Sequence, residues 1–227
     1  MPAIATANAE QDKKKSQSYT KSALLIAVVL ALPCAAGMSL LSEPILTFIY
    51  GDGSFSVLLT VMGLSVAFLT LVQIANAILQ AWGRVWVPVV NMLLGGAVKI
   101  GVNLLLVSRP EINIAGAPVG TLLCYVTVVV LDMISICRTS GTRLPLRELF
   151  LKPLLCTVIM GIVTLAIYRL LLPNIGYQVA MILSIVASAI VYFVFVLFSK
   201  TLKREEILLL PKGERLALLM ERAHLLS

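Results

Sequence analysis

Nearly all the charges of this chain lie in short stretches between long uncharged ones, and nothing else in the sequence constrains the fold as strongly. Residues 22–42, 53–83, 112–131, 153–168 and 170–199 contain no Asp, Glu, Lys or Arg, and 85–108 contains only Lys99. A hydrocarbon core about 30 Å thick is crossed by about 20 apolar helical residues. The pattern therefore predicts six transmembrane helices near 23–42, 57–80, 87–107, 115–136, 153–172 and 177–198. The last two are parted by the turn signal Pro173-Asn174-Ile175-Gly176. Only 13% of residues are charged and 59% are hydrophobic, whereas soluble domains are about one quarter charged. That excludes an ordinary soluble enzyme, a nucleic-acid-binding domain and a disordered chain. The expected class is all-α: a polytopic membrane helix bundle.

Charge placement orients the bundle. With six crossings, the N-terminal segment, the Trp82–Trp86 loop, the 137–152 loop and the tail share one side, and 15 of the 18 basic residues fall there. Arg109 and Arg169 lie opposite, and Lys99 lies within a span. Basic loops mark the cytoplasmic face, so both termini are expected inside. The divisions are then 1–22, a cytoplasmic segment; 23–136, four spans; 137–152, a basic cytoplasmic loop; 153–198, two further spans; and 199–227, a cytoplasmic tail. Residues 1–20 are polar and do not read as a signal peptide. The tail repeats Leu216, Leu219, Met220, Ala223 and Leu226 at helical spacing, which suits an amphipathic helix on the inner headgroups or against a partner. The outer connection 43–55 reads as an interfacial half-turn, and Pro33 predicts a kink.

Little catalytic chemistry is present. His224 is the only histidine, no span holds two carboxylates, and Cys34, Cys124, Cys137 and Cys156 show no metal-ligand spacing. No metal or cofactor is expected, and the chain does not read as an enzyme. The outlier is Lys99, since a charge at mid-bilayer costs roughly 2.5–3.5 kcal/mol on insertion scales. Asn103 and Asn91 lie on the same helical stripe, one turn ahead and two turns behind. Two readings stand: a cationic strip lining a substrate pathway, or a snorkelling structural lysine. Gln73, Asn76 and Gln80 form a second strip, for which interhelical hydrogen bonding is the simpler account and a pathway lining the other. Asp132 is expected near the inner end of its span, within reach of water, where an interfacial anchor is the simpler account and a proton carrier the other. Gly116-Ala117-Pro118-Val119-Gly120 has the small-xxx-small spacing that permits close helix packing.

Several stretches together resemble the multidrug/oligosaccharidyl-lipid/polysaccharide flippase superfamily. They are ALPCAAGMSLLSEPILTFIYG (31–51), QIANAILQAWGRVWVPVVNMLLGGAVKIGVNLLLV (73–107) and INIAGAPVGTLLCYVTVVVLDMI (112–134). The tail LLLPKGERLALLM (208–220) is similar to the end of the stage V sporulation protein B branch of polysaccharide biosynthesis proteins. The resemblance implies two lobes of six helices with two extra C-terminal helices in this branch. Residues 1–17 would then correspond to the end of the second C-lobe helix and its loop. The six spans would be the last four C-lobe helices plus the two extra ones, so the chain would lack the N-lobe and Met1 would be internal to a longer frame.

The implied function is that of a flippase carrying an undecaprenyl-linked cell-wall or polysaccharide oligosaccharide between leaflets. Its expected partners are membrane lipids, the lipid-linked substrate and the missing N-lobe, from the same frame or a separate chain, and no nucleic acid. Two alternatives remain: a multidrug/cation antiporter of the multidrug and toxin extrusion type, and a non-transporting fragment or subunit.

Overall fold

A computed structural model describes residues 2–141 and 145–199. The amphipathic tail and His224 lie outside the described residues, as do positions 142–144. Among the described residues every regular element is a helix: α1 (Pro2–Ala9), α2 (Lys13–Leu40), α3 (Ser42–Tyr50), α4 (Ser56–Ala81), α5 (Trp86–Leu106), a 3-10 turn (Asn113–Ala115), α6 (Gly116–Ser140), α7 (Leu146–Ile175) and α8 (Tyr177–Phe198). Six of them are long and apolar enough to cross a membrane, in the order expected from the sequence. Helices are the natural outcome because a bilayer core offers no water to pair a free N–H or C=O, so each span must satisfy its own backbone. The protein is a multi-pass membrane protein.

The boundaries depart from the sequence reading at the polar ends. The first span starts ten residues early, at Lys13, where the Asp12 carboxylate accepts a hydrogen bond from the Lys15 amide at 3.1 Å. Asp is a strong N-cap because its oxygen pairs an amide that has no intrahelical partner. The segment before it is also helical, and Ile4 and Ala7 of α1 are buried. The 43–55 connection holds a full helix, α3, instead of a half-turn, and it stops at Gly51 with φ +76°. Beyond Gly51, Asp52 accepts from the Ser54 hydroxyl at 2.5 Å and the Ser54 amide at 2.9 Å, and these bonds hold its carboxyl below the usual range. α7 runs straight through Pro173, and only Gly176, at φ +77°, breaks the last helical pair. A left-handed residue is what the turn requires, and glycine supplies it without steric cost.

The chain divides into two compact units, Met1–Pro145 and Leu146–Ser227. In the first, α4 packs against α2 on one side and α6 on the other, while α5 packs on α6 and barely touches α4. Leu24 and Val28 of α2, Ala75, Ile78 and Leu79 of α4, and Val128 of α6 are almost wholly buried. Polar stitches close both ends. At one, the Trp82 indole donates to the Thr20 hydroxyl at 3.3 Å and the Gln17 amide donates to the Ser140 carbonyl at 2.8 Å. At the other, the Ser39 hydroxyl donates to the Thr60 carbonyl at 2.9 Å, and the Ser42 and Thr60 hydroxyls lie 2.8 Å apart.

In the second unit, α7 and α8 form an antiparallel hairpin. Its seam is a stripe at four-residue spacing on α8, namely Ala180, Ser184, Ser188, Tyr192 and Val196, all buried. The Thr164 hydroxyl donates to Ser188 at 2.7 Å, Ser188 donates to the Ser184 carbonyl, and Cys156 and Ser199 meet at 3.6 Å. Small residues let the helices approach, and hydroxyls bond across the contact where lipid could not.

The glycines of α5 separate packing from propensity. A Cβ on Gly95 would collide with Val128 and lie 3.1 Å from the Cys124 carbonyl, whereas one on Gly96 would meet nothing within 4 Å. Gly95→Ala is expected to destabilise the first unit by about 1–3 kcal/mol, the usual result of overpacking. Gly96→Ala is expected to be neutral or to gain up to about 1 kcal/mol of helix propensity. Unfolding titrations of both variants in detergent check the contrast.

Candidate functional site

Four residues of α5, spaced by one helical turn, face four of α6 in an antiparallel register. Asn91 meets Asp132, with the amide Nδ2 donating to Oδ1 at 2.8 Å. Four residues on, Gly95 meets Val128, and twelve on, Asn103 packs its side-chain oxygen against Gly120. The same register sets Lys99, eight residues on, opposite Cys124, and the Lys99 carbonyl lies 3.4 Å from a Cβ built on Gly120. The stripe expected from the sequence thus exists as a line along α5, and the line is the contact with α6. Gly116 closes the seam, since a Cβ there would sit 2.6 Å from Leu106 Cβ. Both glycines of the predicted small-residue pair therefore face α5.

The five candidate pathway residues fall into two places. Asn91 is 7% exposed, and Lys99 and Asn103 are half-buried along the seam. Lys99 has no carboxylate within ion-pair reach among the described residues, and Asn103 Oδ1 is buried without a hydrogen-bond partner. Gln73 and Asn76 lie on α4. Gln73 and Gln80 are exposed, Asn76 is half-buried, and Asn76 Oδ1 is a second buried oxygen without a partner. The interhelical hydrogen bonds expected of this α4 strip do not form among the described residues. α4 and α5 splay apart, and between them opens a crevice of about 390 Å³ lined by Asn76, Gln80, Pro88, Val89, Met92 and Leu93. The crevice lies beside the Trp82–Trp86 turn, where Arg84 is exposed and Trp86 is 79% exposed.

Asp132 requires a correction. The sequence pattern puts it within reach of water near the end of its span, yet it is 0% exposed, enclosed by packing helices. Its depth follows from α6 running on through Ser140, two turns past the carboxylate. The Asn91–Asp132 pair is thus the polar contact that sequence reasoning misses. A signal for it exists: an ionisable group within a span ordinarily has a partner on a neighbouring helix. The pattern places Asn91 on the Lys99 stripe, and only the α5–α6 register reveals its second role.

Electrostatically, six of the eight described basic residues of the first unit gather at one end. The Trp82–Thr20 and Gln17–Ser140 bonds bring together the segments bearing Lys13, Lys14, Lys15, Lys21, Arg84 and Arg138, all exposed. The bundle therefore presents a cationic rim, a half-buried lysine on an apolar helix, and a crevice with amides on one wall and alkyl groups on the other.

Comparison with known proteins adds to this geometry. The family model described as lipid II flippase MurJ matches residues 1–186. The chain is 29% identical over 228 residues to "Uncharacterized membrane protein YabM" of Bacillus subtilis (strain 168), covering 98% of this chain and 42% of that protein. It is 24% identical over 170 residues to "Stage V sporulation protein B" of the same organism, covering 75% of this chain and 33% of the relative. The chain spans less than half the length of these curated relatives. No solved structure matches it.

The seam's one polar pair should be energetically coupled. A double-mutant cycle of Asn91→Ala and Asp132→Ala is expected to give a coupling near the top of the measured range for membrane hydrogen bonds, about 1.7 kcal/mol against a mean of about 0.6. Full burial of both partners places it there, and unfolding in detergent measures it.

Proposed function

The chain belongs to the MurJ lipid II flippase family, and we propose that it is the C-terminal part of a flippase for undecaprenyl-linked cell-wall or polysaccharide oligosaccharides. The observation that carries the proposal is the family match together with Lys99, a lysine on a span with no carboxylate within ion-pair reach among the described residues. Its ammonium is the anion-attracting group at membrane depth, and the substrate class carries a pyrophosphate. Coulomb attraction at a low effective dielectric constant is several times stronger than in water, so one half-buried lysine can hold such a headgroup loosely while the chain remains in lipid. Asn103, one turn away, offers an amide to the same headgroup. Asn91, Gln73 and Asn76 complete the proposed pathway set, in the seam and along α4.

The orientation in this proposal is cytoplasmic for both termini, in the bacterial plasma membrane. The clustering of basic residues at one end of the first unit supports it. Membrane-impermeant thiol labelling in a cysteine-free background tests it. Glu111→Cys is expected to label in intact cells, and Lys14→Cys only after permeabilisation.

A second reading is favoured by one observation, the 42% and 33% coverage of the relatives. In it, these helices work together with a further polypeptide that supplies the opposing lobe. Co-purification with an affinity tag on this chain tests that version. In the full-length context, Lys99→Gln is expected to abolish complementation of a flippase-deficient strain, while Lys99→Arg retains it. Unchanged growth with Lys99→Gln, at equal protein level, would remove Lys99 from the mechanism.

A further inference from the structure

One side of α3 is apolar and uncovered, at the end of the first unit opposite the cationic rim. The uncharged stretch 22–42 already rises about 31 Å at 1.5 Å per residue, the whole of a hydrocarbon core about 30 Å thick. α3 therefore begins at the boundary of that core. Its first turn is pinned there. Only Leu41, itself buried, separates α3 from α2, Pro44 is buried, and the Ser42 and Thr60 hydroxyls lie 2.8 Å apart. Beyond this turn, helical periodicity gives α3 two unlike sides. Glu43, Thr47 and Tyr50 share one, and the chain after Gly51 folds back over part of it. A Cβ on Gly53 would sit 2.8 Å from the Thr47 hydroxyl and 3.0 Å from Glu43 Cγ. Pro44, Ile45, Phe48 and Ile49 share the other side, where Phe48 is 50% and Ile49 61% exposed. Phe55 and Val57, just past the turn, are exposed as well.

We infer that α3 is a lipid-docking helix: its Phe48–Ile49 side is immersed in the leaflet opposite the cationic rim, where headgroups meet acyl chains, with Glu43 and Asp52 on the water side. Its place at the foot of a span selects lipid as the occupant, because the pinned first turn holds the apolar side at the depth where an amphipathic helix lies in a bilayer. Composition agrees. Aromatic rings favour that level, and the apolar side carries no charge that a protein partner could read. Residues 43–55 contain no Lys or Arg, and their two charges, Glu43 and Asp52, are exposed. Docking therefore rests on apolar area and not on attraction to anionic headgroups. The helix in turn sets the depth of the α2–α4 pair, to which Leu41 and the Ser42–Thr60 contact join it. This inference does not rest on the flippase reading, since it needs only a chain that spans a bilayer.

The test places single nitroxide labels on the intact chain, in a cysteine-free background and in nanodiscs of phosphatidylethanolamine and phosphatidylglycerol. Collisions are measured with oxygen, which partitions into lipid, and with a nickel chelate, which stays in water. Labels at Phe48→Cys and Ile49→Cys are expected to give an oxygen-to-nickel ratio several-fold above that at Glu43→Cys and Asp52→Cys. Equal ratios at all four positions would mean that α3 stands in water. Shielding of the Phe48→Cys and Ile49→Cys labels from both reagents would mean a protein cover, and either result overturns the inference. Should the cysteine-free chain fail to insert, Phe48→Trp in the otherwise native chain adds a reporter whose emission is the difference from wild type. Quenching of that difference by brominated lipid supports the inference, whereas quenching by acrylamide alone, or by neither, overturns it.

Discussion

α5 is held to its bundle by a single seam, and the proposed chemistry of the first unit lies along or beside it. Only 11% of the apolar window of α5 is buried, so the helix has no broad contact to fall back on. In a bilayer the hydrophobic effect does not draw helices together, because lipid tails are as apolar as leucine. Close van der Waals packing and polar contacts must do so. Gly95, Gly116 and Gly120 supply the first, and Asn91 with Asp132 supplies the second. Because α4 and α5 both pack on α6 but hardly on each other, the seam also creates the crevice between them.

This arrangement links stability to the proposed function. A helix held along one line can shift by small amounts without breaking a core, which is a requirement of any element that takes part in alternating access. The Asn91–Asp132 pair sits at one end of that line and the Lys99–Asn103 position toward the other. The α7–α8 hairpin is built differently, with a buried hydroxyl ladder of Thr164, Ser184 and Ser188. Of its bonds, Thr164 to Ser188 crosses between the helices, while Ser184 and Ser188 donate to carbonyls one turn back within α8.

Fold class, span number and span order were legible in the charges alone, because the cost of burying a charge in hydrocarbon is large and local. The small-xxx-small pair at Gly116 and Gly120 was legible from its four-residue spacing, which puts both glycines on one helix face. Helix ends were less so: Asp12 extends α2 by capping, and α7 passes Pro173 to stop only at Gly176. Capping and proline tolerance depend on where the polar end meets water, which the pattern of apolar residues does not record. Likewise Lys99 announced itself as a mid-span charge, but its neighbours did not.

Hydropathy and charge act residue by residue, and they were enough to specify an all-helical chain with six membrane-spanning helices. Three facts came from the packed helices alone: Asn91 pairs with Asp132, Asp132 is sealed from water, and the Lys99 stripe faces α6. All three depend on helix rotation and register. A helix that is apolar all round carries no periodic signal to set its rotation, so the packing of glycines against a neighbouring backbone set it instead.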